Sequence, residues 1–312
     1  MNSIRSNFSA MTAMHSLQMT NRELLKTQGR ISTGFRVANA EDNAAYWSIA
    51  TTMRSDQKSL STVKDALGLG LATVDVAYTA VSSSADVVSE IKSKLVAARE
   101  PGVDRQLVQK EVTELQNQLV SIASSATFSN QNWLSVDSST ANYNATRSIV
   151  ASFSRAGDGS VSIQTITVDT SATKLFDASA SAAGILDGLR DANGDLSATG
   201  FSVASLNISA LTDSVADLAT IESYIAGASK AVTEMTDAAA TLGTTKQRIG
   251  LQINVVSMLT AAIDRGISTL VDADMNEESA LLQARQVQQQ LGTQSLNAAN
   301  AASQSILSLF RN

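Results

Sequence analysis

Few residues of this chain could take part in catalysis or metal binding, and they do not form a set. The 312 residues include one histidine, His15, and no cysteine. A catalytic base needs a nucleophile beside it, and a zinc site needs several His, Cys or carboxylate ligands. His15 stands alone in an amphipathic segment, so we interpret it as an interfacial side chain. The missing cysteines also exclude disulfides and thiolate catalysis.

Two short motifs resemble ligand-binding loops but lack residues that such loops need. Gly68–Gly70 has no third glycine and lies inside a helical pattern, so it is not a dinucleotide fingerprint. Asp191, Asn193 and Asp195 have the spacing of the start of a calcium loop, but Leu196 stands where that loop needs glycine. We therefore predict a turn there, and we expect no cofactor, no metal and no enzymatic activity.

The composition favours long helices. Pro101 is the only proline, and aromatic residues make up 4% of the chain. An internal proline costs a helix about 3 kcal/mol, so its scarcity permits very long helices. The net charge of −6 argues against nucleic acid as a main partner. We also predict no membrane insertion, because a span needs roughly 20 largely apolar residues and we expect no segment to meet that requirement.

A heptad repeat that occurs twice is the strongest pattern. One array runs from Tyr46 to the turn at Arg99–Gly102, and the other runs from Ile221 to Leu270 with a companion row through Val232, Ala239 and Lys246. Apolar residues spaced three and four apart line one side of a helix, and so long a stripe indicates a coiled coil. The predicted rod core consists of Leu60, Leu67, Val74, Val81, Val88, Leu95, Leu242, Ile249, Val256 and Ile263.

These arrays predict a mainly α fold, a long antiparallel helical coiled-coil rod built from both chain ends with a small β-rich insert between them. Each long helix would extend roughly 80 Å at 1.5 Å per residue. Between the arrays, residues 148–153 and 161–168 alternate in the manner of two strands joined by a turn. We expect this insert at one end of the rod, because long insertions at a loop tip cost little.

The two chain ends have thinner amphipathic stripes that polar residues interrupt. Residues 1–36 are basic, and the acidic cluster at 272–278 is expected to face them. A thin stripe does not hold an isolated helix in water, so we expect the ends to become firmly ordered only against partners. The predicted polymerisation interface consists of Met14, Leu17, Asn21, Leu24, Ile31, Leu281, Leu291, Ala298, Ala302 and Leu309.

Two terminal stretches resemble a known family. The first contains Arg30-Ile31-Ser32-Thr33-Gly34-Phe35 and Ala40-Glu41-Asp42-Asn43-Ala44-Ala45, and the second contains Gln289-Gln290-Leu291-Gly292-Thr293 and Ile306-Leu307-Ser308-Leu309-Phe310. Together they resemble the two ends of bacterial flagellin, most closely the flagellins of α-proteobacteria such as rhizobia. The resemblance covers both terminal thirds of the chain.

The resemblance implies a structural subunit that polymerises into the extracellular bacterial flagellar filament used for swimming. The implied partners are other copies of the chain, alone or mixed with other flagellins, together with an export chaperone, the filament cap and the hook-junction proteins. It further implies secretion of the unfolded chain through the type III export channel of the flagellum. The absence of an apolar signal segment in Met1–Phe8 is compatible with that route.

The resemblance also implies a division of the chain into five segments. The outermost two form the inner-tube coiled-coil domain, the next two form the helical rod domain, and the central one is a variable surface insert. In chain order, these segments are residues 1–36, 37–136, 137–204, 205–273 and 274–312.

Three alternatives remain at this point. The nearest is a hook–filament junction protein of the same family, which would assemble in only a few copies. A second is a signalling coiled coil, although the β-rich insert argues against it. A third is an enzyme hidden in the insert 137–204, which contains neither histidine nor cysteine.

Overall fold

The computed structural model describes residues 7–179 and 184–309, with side chains as far as residue 302. The described residues form five helices and six short or medium strands, which confirms the mainly α prediction. The helices are α1 (Phe8–Thr33), α2 (Ala44–Ala98), α3 (Arg105–Ser125), α4 (Val215–Val271) and α5 (Met275–Leu309). The strands are β1 (Thr127–Phe128), β2 (Gln131–Asn132), β3 (Ser135–Val136), β4 (Thr146–Arg155), β5 (Val161–Asp169) and β6 (Phe176–Asp177). Two compact units result, residues 1–58 with 260–312 and residues 59–259.

In the second unit, α2 and α4 pack in opposite directions along what we call the rod seam. Three polar bridges between the helices are Asp75–Lys246, Lys92–Ser229 and Arg99–Glu222. The partner number falls along α4 as the residue number rises along α2, so the helices are antiparallel. The buried stripes of the two helices include Leu60, Leu67, Val74, Val81, Val88, Leu95, Leu242, Ile249 and Val256. Ile263, which belongs to the other unit, is half-buried.

Lys246 is accommodated at the edge of the rod seam. Its ammonium group pairs with Asp75 and lies 5.8 Å from the centre of the Tyr78 ring. The side chain thus covers apolar surface with its methylene groups while its charged end stays partly in solvent. A second buried row lies beside the main stripe of α4 and contains Ala231, Ala238 and Thr245. These residues are more fully buried than the predicted companion row that contains Lys246.

Helix α3 follows the predicted turn. Its polar side chains bond to an irregular segment of the chain that contains Val203 and Ile208. Asp104 caps the helix by accepting bonds from the backbone N–H groups of its first turn. The buried Gln109 accepts a bond from the Ile208 N–H (2.8 Å), and Gln116 donates to the Val203 carbonyl (3.0 Å). These bonds satisfy backbone groups that no regular element would otherwise pair.

The β4–β5 hairpin lies beside the middle of the rod, so the prediction of an insert at one end is wrong for this hairpin. Ile149 on β4 presses against Gly70, where an added Cβ would be 2.5 Å from the isoleucine Cγ2. Gln252 on α4 donates to the Ala151 carbonyl (3.0 Å) where the strand register shifts. Gly70 therefore provides a notch for the hairpin, since any larger side chain would exclude Ile149.

A fully buried arginine attaches the loop around 184–206 to α4. Arg190 pairs with Glu234 (2.6 Å) and also donates to two backbone carbonyls of its own loop. The next residue, Asp191, accepts bonds from the backbone N–H groups of Asn193 and Asp195. The spacing that resembled a calcium loop thus forms the predicted turn.

Many hydroxyl groups on the long helices bond to the backbone carbonyl four residues earlier. This pattern satisfies the hydroxyl within its own helix and gives the carbonyl a second donor. On α2 the donors include Thr51, Thr52, Thr73 and Ser89, and on α4 they include Thr220, Ser223, Thr233, Thr236, Thr241, Thr245 and Thr269.

One segment meets the length and composition of a membrane span, contrary to our expectation. An 18-residue window within α2 has a mean hydropathy of 1.3, and a third of that window is buried inside the protein. Core helices have the same composition, and α2 contributes the fully buried Leu67, Val74 and Val81 to the rod seam. The hydropathy of α2 is thus of the kind that a buried helical stripe requires.

Two leucines on α4 test where the stability of the rod arises. Leu242 is fully buried and Leu251 is 66% exposed. Leu242→Ala should lower the free energy of unfolding of the monomer by about 2–5 kcal/mol, because it leaves a cavity in the rod seam. Leu251→Ala, the matched control, should lower it by less than about 0.5 kcal/mol. Denaturant unfolding monitored by circular dichroism measures both, and equal effects would contradict the assigned seam.

Candidate polymerisation interface

Local sequence signals set both ends of α1. The Asn7 side chain accepts a bond from the Ala10 N–H (3.0 Å) and so caps the first turn. At the other end, Gly34 adopts the left-handed conformation (φ 74°) and its N–H donates to the Arg30 carbonyl (2.8 Å). Glycine takes this conformation without strain, so the chain can leave the helix sharply there.

Backbone bonds join the end of α1 to the segment between α4 and α5. Phe35 forms an antiparallel bridge with Asp272, and the Arg36 N–H donates to the Val271 carbonyl (2.7 Å). Val37, Ala50 and Val271 form a small buried cluster beside these bonds. The end of α1 and the start of α5 are therefore held close together.

Helices α1 and α5 pack against each other in opposite directions, along a contact that we call the terminal seam. The Asn21–Gln289 amide pair (2.8 Å) lies near its middle. Three cross-helix bonds, in order along α1, are Asn7–Ala299, Asn21–Gln289 and Arg30–Glu278. The partner number again falls as the residue number rises, so this pair is also antiparallel.

The terminal seam is tight but contains little large apolar surface. A Cβ added at Gly292 would be 3.1 Å from Leu17 Cδ1, so the absence of a side chain lets the helices approach. Leu24 and Thr27 are the buried residues of α1. With so few large side chains buried, the hydrophobic contribution is small compared with that of the rod seam.

Two charged pairs cross the terminal seam: the more exposed Glu23–Arg285 pair (4.0 Å), and a more buried pair at the base of the seam. Arg30 Nη1 lies 2.9 Å from Glu278 Oε1, and Glu278 is buried. Glu278 belongs to the acidic cluster that we expected to face the basic N-terminal helix. A buried carboxylate needs such a partner, since removing it leaves an uncompensated charge.

The structure divides the predicted interface residues between two faces. Leu24 is buried, and Leu17, Asn21, Ile31 and Leu281 are half-buried on the side where α1 and α5 meet. The exposed predicted residues are Met14, Leu291, Ala298 and Ala302. Leu309 lies outside the residues whose side chains are described. The division arises because each terminal helix covers only one side of the other.

An exposed apolar surface remains on both terminal helices, and we call it the outer face. Exposed apolar side chains that share one side of a helix can mark an interaction site. Its large members are Phe8, Met11, Met14, Met19 and Leu25 on α1, and Met275, Val287 and Leu291 on α5. Sequence reasoning missed Phe8, Met11, Met19, Leu25, Met275 and Val287, because it followed a single stripe. The signal was present, since α1 has large apolar residues on more than one side.

His15 is exposed on α1. Among residues 7–179 and 184–309, no three His, Cys, Asp or Glu side chains are grouped so that they could hold a metal ion.

Comparison with known proteins shows similarity along the whole chain. Residues 4–139 match the family model for the bacterial flagellin N-terminal helical region, and residues 225–310 match that for the C-terminal helical region. The chain is 48% identical to flagellin C of Rhizobium meliloti (strain 1021) and 40% identical to flagellin A of that strain. It is 41% identical to a flagellin of Brucella melitensis biotype 1. Each comparison covers all of both chains.

Two arginines on α1 test the role of the Arg30–Glu278 pair. Arg30→Ala leaves Glu278 buried without its partner and should lower the free energy of opening the terminal seam by about 1–3 kcal/mol. This value is below that for a fully buried pair, because Arg30 is partly exposed to solvent. Arg22→Ala, at an exposed position of the same helix, should change it by less than about 0.5 kcal/mol. Native-state hydrogen exchange measures both. Faster exchange in α1 and α5 is expected for Arg30→Ala alone, and identical exchange in the two variants would show that the pair has no such role.

Proposed function

The chain belongs to the bacterial flagellin family and is a structural subunit of the flagellar filament, and we propose that α1 and α5 carry its polymerisation interface. The family is one of structural proteins that assemble with copies of themselves. The observation that carries the proposal is the outer face, which one subunit leaves exposed. A filament would cover it with the same helices of neighbouring subunits.

Polymerisation is coupled to ordering of the chain ends. The rod seam buries large aliphatic side chains and so folds within one subunit, whereas the terminal seam has a glycine, amides and two charged pairs at its contacts. Packing supplies most of the stability of a helix. The terminal helices therefore become firmly ordered when neighbouring subunits add contacts to the outer face.

The five segments expected from the sequence form part of this proposal. Residues 1–36 and 274–312 form the inner tube, 37–136 and 205–273 form the rod, and 137–204 form a surface insert. In support, α1 and α5 lie within the first pair of segments, and the backbone bridge between Phe35 and Asp272 lies close to both boundaries.

The remaining expectations concern partners, export and chemistry. We propose that the chain is secreted through the flagellar export channel with an export chaperone, and that it contacts the filament cap and the hook-junction proteins at the filament ends. The support is that the family forms an extracellular filament. We further propose that the chain has no enzymatic activity. The hook–filament junction alternative is not favoured, because the relatives matched along their whole length are flagellins.

Removal of both terminal helices tests the coupling. A chain of residues 37–276 keeps α2, α3 and α4, so its circular dichroism should remain helical. It should not elongate filament seeds, because it lacks every member of the outer face except Met275. Electron microscopy and light scattering of seeded samples measure elongation. Filaments built by the shortened chain would refute the proposed interface.

A matched pair of leucines tests the outer face without a deletion. Leu291 on α5 is 58% exposed and Leu196 in the insert is 55% exposed. Leu291→Lys should leave the monomer folded but raise the critical concentration for polymerisation by roughly 100-fold or more, because the interface would bury an unpaired ammonium group at a cost of about 3 kcal/mol. Leu196→Lys should leave the critical concentration unchanged. Sedimentation of assembled protein measures both values, and equal values would argue against the outer face.

A further inference from the structure

Methionines supply most of the large apolar side chains at the start of α1 that the protein leaves in solvent. Met11 is 56% exposed, Met14 is 49% exposed and Met19 is 54% exposed. Met235 on α4 is, by contrast, fully buried in the same subunit. Leucine would provide similar apolar surface and an equal preference for helix. The distinguishing property of methionine is its polarisable thioether sulfur.

An exposed thioether is open to oxidation. Its sulfur attacks one oxygen of a peroxide, the O–O bond breaks, and an S–O bond forms. The sulfur is oxidised to a sulfoxide and the peroxide is reduced to water or an alcohol. The sulfoxide is polar and chiral, and sulfoxide reductases, one for each epimer, convert it back to the thioether.

We propose that Met11, Met14 and Met19 form a reversible oxidation site of the unassembled subunit, and that their oxidation prevents the subunit from joining a filament. This inference rests on the proposed function of the outer face. Three polar sulfoxides on α1 would have to be desolvated against apolar side chains of a neighbour, and burial of a polar group without a hydrogen-bond partner is unfavourable.

The exposure of these three methionines differs between the free and the assembled subunit, so their oxidation by peroxide should differ as well. In a free subunit the three side chains are about half exposed to solvent, whereas in a filament neighbouring subunits would cover the outer face. An oxidant therefore modifies subunits before assembly and spares those already assembled. The filament would accept only reduced subunits at this site.

The test uses the purified full-length chain and hydrogen peroxide. Peptide mass spectrometry of the treated monomer should show oxidation of Met11, Met14 and Met19 roughly tenfold or more faster than of Met235, the internal control, because susceptibility follows exposure. The rate of elongation from filament seeds should fall by roughly tenfold or more, and treatment with reductases for both epimers should restore it. Preassembled filaments should show slow oxidation at the three positions. Circular dichroism checks that the oxidised monomer remains helical.

Substitutions separate this site from other methionines. The Met11→Leu/Met14→Leu/Met19→Leu variant also carries Met275→Leu, because Met275 belongs to the outer face, and it keeps the exposed Met258. Its elongation rate should be the same before and after peroxide treatment. Replacing the three residues with glutamine, which imitates the polarity of the sulfoxide, should slow elongation without peroxide.

The outcomes distinguish this inference from the function on which it rests. Failure of the untreated chain to elongate any seed would count against the proposed interface. If the untreated chain elongates and the oxidised chain does so equally fast, or if peroxide still stops the leucine variant, the oxidation site is overturned. If the leucine variant fails to elongate even when untreated, the natural chain gives the answer. If reductase treatment restores elongation by the oxidised natural chain, the oxidation site is supported. If elongation does not return, the oxidation site is overturned.

Discussion

Antiparallel packing of two long helices is the interaction on which the rest of the structure depends. Large aliphatic side chains fill the rod seam along α2 and α4, and the Asp75–Lys246 and Arg99–Glu222 pairs mark its register. Because the two helices run in opposite directions, the segment before α2 and the segment after α4 meet. The backbone bonds between Phe35–Arg36 and 271–272 hold them together, so α1 and α5 can only leave side by side.

The two seams differ in the kind of side chain that they bury, and this difference separates folding from assembly. Fully buried leucines and valines make the rod seam self-sufficient within one chain. The terminal seam has Gly292, the Asn21–Gln289 amides and one buried carboxylate at its contacts. Under the proposed function, such a subunit would keep a stable body while its ends gain order from neighbours as it joins a filament.

Periodicity predicted the rod because burial on a straight helix is itself periodic. The main stripes of α2 and α4 could therefore be found by counting in sevens, whereas the companion row of α4 could not. Ala231, Ala238 and Thr245 are buried there, whereas Val232, Ala239 and Lys246 of the predicted row are half-buried. Both rows flank the main stripe, and a count of apolar residues does not show which of them a neighbouring element covers more completely.

Features that depend on a single contact between distant residues were beyond sequence reasoning. The position of the hairpin follows from Ile149 entering the notch at Gly70, and the attachment of the loop around 184–206 follows from the pair Arg190–Glu234. Neither has a periodic signal, since a lone glycine or arginine is compatible with many environments. The predicted interface residues include some that lie in the terminal seam and some that lie on the outer face. The prediction did not separate them, because it assumed one apolar stripe on α1, whereas α1 has apolar residues on several sides.

The hydroxyl groups that bond to carbonyls within α2 and α4 affect the mechanics of the subunit. A carbonyl shared between a backbone N–H and a hydroxyl loses less when the helix bends, and such bonds are associated with helix curvature. Threonines spread along α4, such as Thr220, Thr236 and Thr269, therefore lower its elastic stiffness at intervals. In a filament built from many such subunits, a change of curvature would then be shared as a small strain in each of them.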